Sequence, residues 1–99
     1  MFRHVVQMTF KREMSEEEFT RFQQVHDDLG AQAPTVRGFS HGPDAGVRPG
    51  GASYALVADF DDADGWKAYG AHPAHDVVRE LMGELDVVGG ISVVQFYFD

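Results

Sequence analysis

From Arg3 to Phe10 the side chains alternate with a period of two. His4, Val6, Met8 and Phe10 fall on one face and Arg3, Val5, Gln7 and Thr9 on the other, which predicts a β-strand. After Ser15 the period changes to that of a helix, with Phe19, Phe22, Val25 and Leu29 on one stripe and Gly30 as its stop. Ser15-Glu16-Glu17-Glu18 matches a capping box, in which the Ser15 hydroxyl accepts from the Glu18 amide and the Glu18 carboxylate reaches back. Three carboxylates in the first turn suit the positive end of the helix dipole. His26 projects between Phe19 and Phe22, so it lies inside the apolar stripe.

Val36 to His41 reads as a short strand. Gly42 to Ala52 follows as a loop, with four glycines and two prolines in eleven residues. Tyr54 to Phe60 is a third strand, with Tyr54, Leu56, Ala58 and Phe60 on one face and Ala55, Val57 and Asp59 on the other. Asp61 to Asp64 opens a short helix carrying Trp66 and Tyr69. Pro73 ends that helix and suits the first turn of the next one, whose stripe is Val77, Val78, Leu81, Met82 and Leu85. Gly89-Gly90 is expected to end it, and Ile91 to Phe98 is the last strand.

The order is β-α-β-β-α-β with the second helix broken at Pro73. This is an α+β, ferredoxin-like arrangement, a four-stranded antiparallel sheet with helices on one face, in a single domain over residues 1–99. The last strand is apolar on both sides, Ile91, Val93 and Tyr97 against Val94, Phe96 and Phe98. Helices can cover one side only, so the expected cover for the other is a second copy of the chain, a homodimer through the sheet face.

Composition narrows the function classes. Sixteen acidic against eight basic side chains give a net charge of -8, the wrong sign for phosphate binding and a nucleic-acid partner. The absence of cysteine removes disulfides and thiolate chemistry. No apolar run approaches the ~18 residues of a membrane span, and the N-terminus lacks the pattern of a secretory leader. A cytoplasmic protein with no membrane partner is the expectation.

Four features carry a family resemblance: Arg3-His4-Val5-Val6, the strand Tyr54-Ala55-Leu56-Val57-Ala58-Asp59-Phe60, the segment Tyr69-Gly70-Ala71-His72-Pro73-Ala74-His75, and a closing β-strand. Together they resemble the stress-responsive A/B barrel domain family, Dabb, over essentially the whole chain. The resemblance implies a dimeric α/β barrel in which two sheets pack face to face. Members of that family include a cofactor-free polyketide cyclase, which closes a ring by an intramolecular aldol reaction. On that likeness Tyr69 and His75 are the catalytic pair, and His4, His26, Val57 and Gln95 are substrate-binding. Neither an organic cofactor nor a metal is implied. Two departures from the cyclase pattern stand out: Ala55 replaces a histidine, and Gln95 falls where an acidic residue orients the imidazole.

The residues also have a chemistry of their own. A phenol and an imidazole on one cavity can take a proton α to a carbonyl, with Tyr69 donating to the enolate oxygen. Gln95 can orient the imidazole through its amide oxygen. The same Tyr-x-x-His-Pro-x-His run also reads as a helix–helix corner, with His72 as a cap, and His4 as a hydrogen-bonded core histidine. His72 and His75 with His4 form an interrupted metal pattern that lacks a completing carboxylate. Three functions stay open: a small-carbonyl enzyme, a non-catalytic binder of an apolar metabolite, and a structural stress-response dimer with a filled core.

Overall fold

A computed structural model describes residues 1–99. Seven elements follow one another: β1 (Phe2–Phe10), α1 (Glu16–Gln32), β2 (Gly38–Pro43), β3 (Tyr54–Phe60), α2 (Ala63–Ala71), α3 (Pro73–Leu85) and β4 (Val88–Tyr97). The four strands form one antiparallel sheet in the order β2-β3-β1-β4. That is the ferredoxin-like architecture expected from the sequence. No helix is long and apolar enough to cross a membrane.

Local chemistry sets the helix starts. The Ser15 hydroxyl accepts from the Glu18 amide at 3.1 Å, and the Glu18 carboxylate accepts from the Ser15 amide at 2.9 Å, completing the box. Asp62 caps α2 by accepting from the Gly65 amide. Pro73 occupies the first turn of α3, where its missing N–H costs nothing. His72 caps that helix, its Nδ1 accepting from the Ala74 amide at 3.0 Å.

Two glycine expectations are corrected. Gly30 does not stop α1, which runs on to Gln32. Its lack of a side chain serves packing instead: a Cβ there would overlap the Phe39 ring, so glycine lets β2 approach the helix. Nor does Gly89-Gly90 end α3. That helix closes at Leu85, capped by Asp86 in the left-handed conformation at φ 49°. Both glycines lie inside β4, where Thr9 pairs with Gly90 and Phe10 with Val88, leaving Gly89 as the extra residue of a β-bulge. A Cβ on Gly89 would come within 3.2 Å of the Lys11 side chain.

The helices cover the face of β1 and β3 that carries His4, Met8, Tyr54, Leu56, Ala58 and Phe60, all buried. Contrary to expectation they leave the edge strand β4 open on that side, where Ile91, Val93 and Tyr97 stand 59%, 52% and 67% exposed. The core beneath them is divided. One cluster gathers Phe2, Leu29, Leu56, Phe60, Tyr69 and Val78, and the other Met8, Phe22, Tyr54, Leu81, Leu85 and Val87. Val6, Val25 and Met82, each only partly buried, touch both. On the other sheet face, Arg3 donates to Asp59 through Nε at 2.7 Å and Nη2 at 2.8 Å, and its guanidinium lies 4.4 Å from the centre of the Phe98 ring. Beside that pair Val94 and Phe96 stand 58% and 43% exposed, an apolar face with no cover in the monomer.

Candidate functional site

Between the two clusters lies a cavity of about 380 Å³, with nine hydrophobic residues among its thirteen lining residues. Its polar groups are His4 from β1, His26 from α1, Tyr69 from α2, and His75 and Arg79 from α3. Four separate elements therefore aim polar side chains into one apolar space. A larger concavity of about 540 Å³ lies between α1 and β2, but only one of its six lining residues is hydrophobic, as befits a polar surface cleft.

Tyr69 ends up here because α2 turns its one fully buried side chain toward the sheet. Burial pushes its phenol up to about 12, partly offset by the Arg79 cation. The hydroxyl therefore stays protonated and available as a donor. His75 sits in the first turn of α3, its ring 5.1 Å from that of Tyr69, centre to centre, with the planes at 85°. Its Nδ1 is buried without a hydrogen-bond partner. Burial, then the nearby Arg79, lowers its proton affinity, so at neutral pH it is the free base.

His4 and His26 complete the lining, each with one nitrogen engaged. The amide nitrogen of Gln95 donates to His4 Nδ1 at 2.9 Å, which places the His4 proton on Nε2. His26 Nδ1 donates to the Phe22 carbonyl at 2.7 Å, leaving Nε2 as an acceptor. Burial is the main cause that lowers the proton affinity of both rings.

The structure thus brings Tyr69, His75, His4 and His26 together. It separates the other two residues expected at the site. Gln95 supports His4, its register partner across β1 and β4, rather than the His75 imidazole. Val57 pairs with Val5 and Ser40, and the alternation that sends Leu56 into the core sends Val57 to the opposite sheet face. It does not line the cavity. Sequence reasoning missed Arg79, whose spacing of four from His75 on one helix face was the available signal. It also missed a chain behind His26. The Tyr54 hydroxyl donates to His41 Nδ1 and His41 Nε2 donates to Asp27, both at 2.6 Å. This chain ties α1 to the edge strand β2 and holds the His41 ring 5.6 Å from that of His26.

Comparison with known proteins agrees with this fold. The family model described as Stress responsive A/B Barrel Domain matches residues 2–96. The chain belongs to that family. No curated protein matches it. Among solved structures, a dimeric ferredoxin-like protein of unknown function from Thermobifida fusca is 25% identical with a TM-score of 0.86, covering 98% of this chain and 90% of that one. A dimeric protein of unknown function from Bacteroides fragilis is 24% identical with a TM-score of 0.79, covering 98% and 95%. The hydroxynitrile lyase from Passiflora edulis is 19% identical with a TM-score of 0.77, covering 99% and 93%, a likeness of fold.

Proposed function

We propose that this member of the stress responsive A/B barrel family is a cofactor-independent enzyme acting on a small carbonyl compound by enolisation. The finer reading is a polyketide-cyclase-like aldol closure. One observation carries it: an unpartnered imidazole, His75, stands edge to face with a phenol, Tyr69, on the wall of an apolar cavity. The neutral imidazole takes the α-proton, and the electrons of the broken C–H bond move to the carbonyl oxygen. The Tyr69 hydroxyl donates to that oxygen as charge develops. His4 offers a second N–H and His26 an acceptor, so a ligand carrying a carbonyl and a hydroxyl can bond to both. The protein works as a homodimer through the open sheet face. Exposed Val94 and Phe96 support this, as do relatives described as dimeric.

A medium-chain methyl ketone such as 2-nonanone in heavy water tests the chemistry. Deuterium should enter α to the carbonyl faster with the native protein than with buffer, slowly with Tyr69→Phe, and at the buffer rate with His75→Ala. The predominantly hydrophobic lining favours one other reading, a non-catalytic binder of an apolar metabolite. Binding of the ketone with no acceleration of exchange would select that reading.

A further inference from the structure

Arg79 is the one permanently charged side chain lining the cavity. It lies one helical turn after His75, and its charge reaches both Tyr69 and His75. Two bonds anchor it: Nη1 donates to Asp76 Oδ1 at 2.8 Å and Nη2 to the Gly70 carbonyl at 2.9 Å. A guanidinium carries five N–H groups, so Nε and one N–H on each terminal nitrogen remain for a ligand. The pair with Asp76 is weak competition, because the two side chains are 55% and 67% exposed. In a chain of net charge -8, such a cation at the edge of an apolar space is the local exception.

We propose that Arg79 is a specificity-determining residue that receives the carboxylate of a small apolar acid, whose hydrocarbon body lies along Val78, Met82, Ile91 and Val93. The proposal rests on the cavity being a ligand site. Planar, bidentate recognition of a carboxylate is the chemistry a guanidinium does best. An acid with a carbonyl near its head then presents that carbonyl to Tyr69 and His75.

Octanoate and octanamide share a body and differ in charge, so calorimetric titration with both isolates the head group. The native protein should bind octanoate more tightly than octanamide. Arg79→Gln should weaken octanoate roughly tenfold and octanamide, which loses only a neutral hydrogen bond, several-fold less. Arg79→Lys should recover part of the loss. Unchanged octanoate affinity in Arg79→Gln overturns the role of Arg79, while octanamide binding leaves the ligand site standing. Binding of neither compound to the native protein overturns the ligand site itself, and the role of Arg79 with it. Should loss of the Gly70 bond unfold Arg79→Gln, the native protein still decides. Its octanoate affinity must fall with rising salt while its octanamide affinity stays level, and a salt-independent octanoate affinity overturns the proposal.

Discussion

The Tyr69 and His75 rings stand edge to face, 5.1 Å apart between centres and 85° between planes. The contact joins the end of α2 to the start of α3 across the His72-Pro73 corner. It therefore has a packing role whatever chemistry it performs, and the two roles separate on substitution. Tyr69→Phe keeps the ring and removes only the hydroxyl, so the expected cost is under about 1 kcal/mol. His75→Ala also forfeits the ring contact, a further loss on the order of 1 kcal/mol. Ketone exchange should fall by about 10²–10³-fold in Tyr69→Phe and to the buffer rate in His75→Ala. Thermal melting read beside the exchange rate checks both, and a severe stability loss in Tyr69→Phe would assign that residue to the corner alone.

Acid should weaken the fold. His4, His26 and His75 all have their proton affinity lowered from the ordinary value of 6.5, first by burial. The unfolded chain then binds more protons than the folded one as pH falls, so stability rises with pH in this window. The full contribution is present above about 6.5 and is lost as pH drops through the folded values. Denaturant midpoints measured from pH 8 down to pH 5 should decline, and His26→Phe should flatten the decline.

The uncovered sheet face predicts a dimer. Light scattering should give a mass near twice the 11.0 kDa of the chain. Phe96→Glu places a charge among Val94 and its neighbours, where a partner would have to bury it, so it should shift the mass toward the monomer. A native mass that stays at one chain across concentrations would overturn the assembly.

Two helical glycines should respond in opposite directions. Gly30→Ala drives a methyl group into the Phe39 ring, for an expected loss of about 1–3 kcal/mol. Gly83→Ala, in α3 with nothing near its Cβ position, should gain about 0.5–1 kcal/mol. Chemical denaturation of the two variants side by side tests the pair.

Much of the architecture was legible because local rules acted alone. Ser15 with Glu18, Pro73 at a helix start, and the alternation of His4, Val6 and Met8 each needed only their neighbours in sequence. The misread features depend on contacts across the fold. Gly30 is explained by Phe39 and Gly89 by Lys11, and neither partner is adjacent in the chain. Gln95 was expected behind His75, but the register of β1 and β4 sets it against His4. Val57 was also expected to bind substrate, yet its strand position already set it opposite Leu56, and it stays off this cavity. The convergence of His4, His26, Tyr69 and His75 on one space was half legible, since each faced the core but nothing local showed that an open pocket lies between the two core clusters.

The space between the two clusters opens to solvent past Ile91 and Val93, which stand 59% and 52% exposed. Water therefore wets its apolar walls in the free protein, and a compound that fills the space sends that water back to bulk. Removing apolar surface from water lowers the heat capacity of the complex. The temperature dependence of the binding enthalpy therefore becomes a gauge of occupancy, one that registers a ligand by the apolar area it covers before anything is known of its reaction.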